Sequence, residues 1–267
     1  MVRIIDCFIF YNELDLLTYR LHLLDNIVDY FIIVESTHTF VGREKKLFFN
    51  ENKHMFERFR DKIIHIIVDD FPYKYTDTMI STENIWENEF FQRNAISRGI
   101  QSISNLLDSD AIIISDVDEI PDPHTLDKIK NDDIKVTINV LQMDLYYYNL
   151  NMKFVGKWNL CKIISYEQYH ALNKFCNDIR GMVCDAIPNG GWHLSYFGNA
   201  AFIMNKIKNF SHQEYNNDWY TNVSKIEERV QNGRDLYDRN TDMQKIEIKD
   251  NNYLPVDYQI YLNRYYH

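Results

Sequence analysis

Three carboxylates close an apolar run near the middle of the chain: Ala111-Ile112-Ile113-Ile114-Ser115-Asp116-Val117-Asp118-Glu119-Ile120-Pro121. Asp116 and Asp118 stand two apart, so they point the same way if the backbone is still extended. Like charges so placed repel, and a hard divalent cation bound through oxygen relieves that repulsion. An Asp-x-Asp pair of this kind holds a metal, most often together with a phosphate. The same residues also read as a solvated strand-end turn, since acids and proline are ordinary turn chemistry. Position raises the metal reading to equal standing with the turn. β-Branched residues on both faces make residues 111–114 a buried strand, and Pro121 stops it. Ligands of open α/β sheets bind beyond the carboxyl ends of the strands.

Composition bounds what such a site can serve. The 267 residues suffice for one large α/β domain or two small ones. At 45% hydrophobic and 25% charged, the chain is in the globular range. Its 29 basic and 39 acidic residues leave a net charge of −10. Nucleic acid and anionic membranes both need a basic surface, so neither is an expected partner. A phosphate ligand would have to be held by a few local cations or by a metal. Aromatic residues reach 15%, with 19 Tyr, and suit sugar faces as well as ordinary sheet surfaces. Cys7, Cys161, Cys176 and Cys184 form no C-x-x-C pair, which argues against a zinc ribbon. Cys7 reads as a buried free thiol. No signal-peptide pattern is visible, and no stretch approaches the roughly 20 apolar residues of a membrane span. The expected location is cytoplasmic, with a trimmed lumenal domain as the alternative.

The elements that would position the acids follow from periodicity. Residues 2–10 are an apolar strand. A helix follows with Leu14, Leu17, Leu21 and Leu24 on one face and Asn12 as its N-cap. Residues 30–34 are the second strand, ending at Glu35, and this strand–helix–strand spacing is a parallel crossover unit. A short helix over 52–61 leads to a third strand over 63–68. Residues 69–81 form a long irregular loop carrying Phe71, Tyr73, Tyr75 and Met79. One long helix over 83–107 buries Ile96, Ile100, Ile103 and Leu107, with Trp86, Glu89 and Arg93 on another face. A short helix over 124–129 follows the acids. Strands over 136–148 and 153–165, joined by a turn, read as an antiparallel pair grafted on the parallel half. Residues 171–191 carry no clear pattern. Gly190-Gly191-Trp192-His193-Leu194-Ser195-Tyr196-Phe197-Gly198 reads as a glycine-bounded strand, with close backbone approach at the glycines. Helices over 200–209 and 223–231 follow, the second closed by Gly233. The tail from residue 240 is polar and ends in aromatic residues. With no repeat and no linker, a single domain over 1–267 is expected.

Several blocks together resemble glycosyltransferase family 17. They are Asp6-Cys7-Phe8-Ile9-Phe10-Tyr11-Asn12-Glu13-Leu14-Asp15-Leu16-Leu17, Val34-Glu35-Ser36-Thr37-His38-Thr39-Phe40-Val41-Gly42, Gln92-Arg93-Asn94-Ala95, Ile114-Ser115-Asp116-Val117-Asp118-Glu119-Ile120-Pro121, Gly191-Trp192-His193-Leu194-Ser195-Tyr196-Phe197-Gly198 and Phe210-Ser211-His212-Gln213-Glu214. They occur in order from about residue 6 to about residue 240. The first block, and Asp116 in its context, also resemble the wider GT-A class of nucleotide-sugar enzymes. The resemblance implies an α/β fold of the GT-A, Rossmann-like, nucleotide-sugar-binding type: a mainly parallel central sheet with an added antiparallel portion. It implies a metal-dependent inverting glycosyltransferase that moves a sugar, N-acetylglucosamine in the first instance, from a UDP-sugar to a hydroxyl of a glycan acceptor. Unlike the animal members, the chain shows no membrane anchor or lumenal stem, so the lumenal alternative would be a trimmed Golgi domain. Two other readings use the same residues: an inactive carbohydrate-binding protein, and a metal-dependent phosphohydrolase or nucleotidyltransferase.

The resemblance also assigns roles. Asp116 and Asp118 would hold Mn²⁺ or Mg²⁺, with Glu119 in support and His193 completing the metal shell. Glu35 would contact the nucleoside or else cap loop amides. Asn12 and Glu13 would contact the donor or cap the first helix. Arg93, beside Asn94, would clamp the diphosphate or pair with Glu89 one helical turn away. Trp192 would stack on a sugar or fill the core. The carboxylate that deprotonates the acceptor would be Glu214, Asp144 or Asp185, with Glu214 preferred for its place two residues after His212 in a polar turn, where a surface-loop ion pair is the equal alternative.

Overall fold

The computed structural model describes residues 1–76 and 80–266. Ten strands make one mixed sheet: β1 (Ile4–Phe10), β2 (Tyr30–Ser36), β3 (Ile63–Val68), β4 (Ala111–Asp116), β5 (Glu119–Pro121), β6 (Ile138–Tyr147), β7 (Met152–Trp158), β8 (Lys162–Ser165), β9 (Ala186–Ser195) and β10 (Met243–Lys245). One half is parallel. β1 pairs with β2 and β4, and β2 with β3, in the order β3-β2-β1-β4. The other half attaches through β8, antiparallel to both β4 and β6. β7 and β10 extend it antiparallel, while β9 runs parallel beside β6 and takes β5 antiparallel on its far edge.

Alternation along the buried strands feeds a core on each face. Phe8, Phe31 and Ile113 pack with Leu17, Leu21 and Leu24 of the Leu14–Leu24 helix on one side. Cys7, Ile32, Ile112 and Ile114 pack with Ile96 and Ile100 on the other. Each such side chain, fully withdrawn from water, contributes about 1.5–3 kcal/mol before entropy is counted.

Three expectations change. The helix expected over 83–107 is two helices, Thr82–Asn94 and Ile96–Ser102, broken at Ala95. The second presses Gly99 onto β2 so closely that a Cβ there would stand 2.5 Å from the Ile32 side chain. It ends before Leu107, which is exposed rather than part of the stripe. The strand expected over 153–165 is divided by residues 159–161 into β7, which pairs with β6, and β8, which bridges β6 to β4. Asn12 does not cap the first helix. Glu13 occupies the cap position without a side-chain capping bond, and its Oε2 accepts from the Tyr11 and Asn12 amides instead. In the loop after β3, Phe71 is buried while Tyr73 and Tyr75 are exposed; Met79 lies outside the described residues. Among the described residues, no helix is long and apolar enough to cross a membrane.

Candidate active site

A cavity of about 620 Å³ opens at the carboxyl ends of β1, β2 and β4, lined there by Phe10, Tyr11, Glu13, Ser36, His38, Asp116 and Asp118. The turn carrying the acids is built from beneath. Arg20, fully buried on the first helix, binds Asp6 through two nitrogens at 2.6 and 2.8 Å. It also donates to the carbonyls of Asp116 (2.8 Å), Val117 (3.2 Å) and Glu119 (2.8 Å). Glu119, also buried, accepts from the Asp116 amide at 2.9 Å and from the Trp158 indole. It supports the turn, and its side chain does not line the cavity.

Each aspartate is bound by cations. Asp116 Oδ1 accepts from Arg93 at 3.1 Å and Oδ2 from Arg180 at 2.8 Å. Arg180 comes from the short Cys176–Gly181 helix and also grips Glu119 with both terminal nitrogens, at 2.6 and 2.7 Å. Asp118 Oδ2 meets Lys206 of the Ala200–Asn209 helix at 3.0 Å. Its Oδ1 stands 3.5 Å from His193 Nε2 on β9. Burial pushes both carboxyls up, but their partners outweigh it: Arg180 and Arg93 hold Asp116 below the ordinary range, and Lys206, with His193 beside it, holds Asp118 well below it. Lys206 and Arg180 are raised in turn, against their own burial, by the acids they face.

Among the described residues no three His, Cys, Asp or Glu side chains group as metal ligands. On the cavity wall, Asp118 and His193 form a carboxylate–imidazole pair. Its 3.5 Å separation is too long for a strong hydrogen bond, and His193 Nδ1 is buried without a partner among the described residues. Small divalent cations are commonly held by one or two protein groups plus substrate phosphates, not by an all-protein cage. An oxygen–nitrogen pair on the cavity wall fits such a half-site. Asp116, expected beside Asp118 as a ligand, has an arginine on each oxygen.

Strand alternation sorts several other expected residues. On β6 and β9, Leu145 and His193 pair and line the cavity, so their neighbours Asp144 and Trp192, also paired, face away. Asp144 is buried between Lys153 (2.5 Å) and Lys157. Trp192 packs against Tyr253 in a separate cluster and donates to its carbonyl at 3.2 Å. Neither can meet a ligand in this cavity. Asp185 is exposed just before β9 and outside the lining. Glu214 is an exposed partner of His212 Nδ1 at 2.8 Å and does not line the cavity, although His212 and Tyr215 do. Glu35 is fully buried and accepts from the Phe49 and Asn50 amides (2.9 and 3.3 Å) and pairs with His65 at 3.1 Å. It caps amides of the short Phe48–Glu51 helix rather than of a loop, while its neighbour Ser36 reaches the cavity. Asn94 accepts from the Asn177 amide at 2.9 Å, fastening the Arg180 helix, and Asn12 also stays outside the lining.

Of the two expectations for Arg93, the structure shows the pair with Glu89. At 2.8 Å from Glu89, Arg93 also faces the cavity, and its Nε has no partner among the described residues. Arg180, Lys206 and Lys45 are lining cations that sequence patterns did not single out. Arg180 sits in the stretch without periodicity, and Lys206 reads only as a polar position of an amphipathic helix. In a chain of net charge −10, the lining carries five Lys and Arg against four Asp and Glu. Arg180, Lys45 and Arg239 are also paired with Glu119, Glu35 and Asp235, acids outside the lining, so the wall offers an anionic ligand local donors and not a net positive field.

Comparison with known proteins agrees with the blocks read above. The model of glycosyltransferase family 17 matches residues 1–244. A stretch of 122 residues is 32% identical to the beta-1,4-mannosyl-glycoprotein 4-beta-N-acetylglucosaminyltransferases of Rattus norvegicus and Homo sapiens, and 31% identical to that of Mus musculus. The matched stretch covers 45% of this chain and 22% of each relative, about a fifth of their length.

Proposed function

We propose that this chain, which belongs to glycosyltransferase family 17, transfers a sugar from a UDP-sugar to a glycan hydroxyl with inversion, on a GT-A-type framework and with a divalent cation. N-Acetylglucosamine is the sugar favoured, since the relatives are named as N-acetylglucosaminyltransferases. One observation carries the reading: two aspartates, a histidine and the cations Arg93, Arg180 and Lys206 converge on one cavity at the carboxyl ends of parallel strands.

Arg93, Arg180 and Lys206 are preset donors for a diphosphate, and Asp116 orients the first two. Donors fixed before the charge develops cost no reorganisation as the diphosphate leaves. Asp118 and His193 are the residues that would hold Mn²⁺ or Mg²⁺, and the ion, when bound, would act as a Lewis acid on the diphosphate.

Calorimetric titration of UDP with and without Mn²⁺ tests this directly. Binding strengthened by the metal is expected, and Asp118→Asn should remove most of the metal's contribution while leaving the protein folded. Metal-independent binding would remove the cation from the scheme. No UDP binding at all would sink the transferase reading, and release of inorganic phosphate from a nucleotide without any sugar would favour a phosphohydrolase.

A further inference from the structure

The cavity has a second set of lining residues that the diphosphate scheme does not use. Trp86, Phe210, His212, Tyr215 and Tyr237 form a continuous aromatic wall. Ring centroids are 4.7 Å apart for Trp86 and His212, 5.5 Å for Phe210 and His212, 6.1 Å for His212 and Tyr215, and 3.8 Å for the stacked pair Tyr215 and Tyr237. A surface of this kind suits the apolar face of a sugar ring.

Glu89 joins the wall to the charged residues. It stands one turn after Trp86 on the same helix. Its Oε1 accepts from Arg93 at 2.8 Å, and the same nitrogen reaches Asp116 at 3.1 Å. Its Oε2 accepts from the Ser211 hydroxyl at 2.5 Å, and Ser211 lies between Phe210 and His212 in the chain. The other lining acids are engaged elsewhere. Asp116 has an arginine on each oxygen, Asp118 has Lys206 and His193, and Glu13 has two backbone amides on one oxygen and Lys206 at 3.7 Å from the other. The Glu89 side chain is held by one cation and one hydroxyl and keeps 18% of its surface. Each carboxylate oxygen has two lone-pair sites, so both Glu89 oxygens retain acceptor capacity.

We propose that Glu89 is the catalytic base, taking the proton of the hydroxyl that attacks the donor sugar. This rests on the transferase reading above. The acceptor oxygen bonds to the anomeric carbon as that carbon's bond to the diphosphate oxygen breaks. The electron pair leaves with the diphosphate, and the acceptor proton passes to Glu89. Arg93 and Ser211 fix the orientation of the carboxylate, and the aromatic wall places an acceptor ring beside it.

The test needs no glycan acceptor. Water can attack in place of the hydroxyl and must also lose a proton, whereas azide attacks the same carbon with no proton to lose. Hydrolysis of UDP-N-acetylglucosamine and, with sodium azide added, formation of the glycosyl azide are measured for wild type and for the isosteric Glu89→Gln. Hydrolysis should fall about 100-fold or more. Glycosyl azide formation should stay within about tenfold of wild type and UDP affinity within about twofold, because the side-chain amide oxygen can still accept from Arg93 and keep it in place for the diphosphate. Ser211→Ala, which keeps the carboxylate, should lower hydrolysis by about tenfold and leave azide formation unchanged; it carries the test if Glu89→Gln fails to fold. Hydrolysis by Glu89→Gln within tenfold of wild type overturns the proposal. So does loss of azide product together with hydrolysis, which would make Glu89 a support for Arg93 or a donor contact. A wild-type protein that binds no UDP and hydrolyses no donor overturns the transferase reading itself, and this proposal with it.

Discussion

Lys45 shows how a residue's surroundings set its use. It lines the cavity 3.9 Å from the buried Glu35 and lies over the Tyr11 and Phe48 rings at 5.4 and 5.6 Å. Burial lowers its pKa to about 8, against the opposing pull of Glu35 and Glu13. Its charge is therefore present at neutral pH and lost as pH rises through about 8. If the ammonium contributes to holding UDP, the dissociation constant should rise about tenfold between pH 7 and 9, as expected when only the protonated form binds. Lys45→Arg, which keeps its charge throughout that range, should flatten the dependence. A wild-type constant that is level from pH 7 to 9 would remove Lys45 from the ligand contacts.

At the scale of elements, the site depends on β9 lying close against β5. Glu119 pairs with His193, Ile120 with Trp192 and Pro121 with Gly191. Gly191 has φ +141, and a Cβ there would stand 2.1 Å from the Ile120 carbonyl oxygen and 2.9 Å from Pro121 Cα. Those neighbours are backbone and cannot swing aside. Gly191→Ala should therefore cost roughly 1–3 kcal/mol in urea unfolding and, under the proposed function, weaken UDP binding in the presence of Mn²⁺ by displacing His193. Gly181 has nothing within 4 Å of its would-be Cβ, and Gly181→Ala should change stability by no more than about 0.5 kcal/mol. Equal costs at the two positions would contradict the close approach. The glycine pair was visible in the sequence because glycine in a strand signals such an approach. The parallel strands were visible for a similar reason, as uninterrupted apolar runs over β1, β2 and β4. Pairing between distant segments left no local mark. Nothing in residues 171–191 announces that Arg180 reaches Asp116, or that the residues from 186 form a strand beside β6. Glu89 and Arg93 were legible as an i, i+4 pair, but a helix surface and a cavity wall give the same spacing. The alternation that turns Trp192 and Asp144 away from the cavity could be applied only once the register of β6 and β9 was known.

The whole molecule meets at this cavity. Its charged lining draws on the ends of β1 and β4, the helices that carry Arg93, Arg180 and Lys206, and β9. These segments lie as far apart in the chain as Glu13 and Lys206, and they belong to both the parallel and the antiparallel halves of the sheet. Arg93, Arg180 and Lys206 lie close together and repel one another, and Asp116, Asp118, Glu89, Glu119 and Glu13 are the carboxylates that hold them there. A bound diphosphate would add anionic partners for Arg93, Arg180 and Lys206 at once, so its stabilisation should be felt across the sheet and not in one loop. A ligand that binds only the folded form at about 100 times its dissociation constant adds about 2.7 kcal/mol. For a chain somewhat larger than 250 residues each kcal/mol moves the melting point by roughly 2–4 °C. UDP with Mn²⁺ at that ratio should then raise Tm by roughly 5–10 °C in a single cooperative transition. Uridine, which carries no phosphate, should give a much smaller shift at the same concentration. A shift of equal size with uridine would place the binding energy on the nucleoside and leave the cation cluster without a role in holding the ligand.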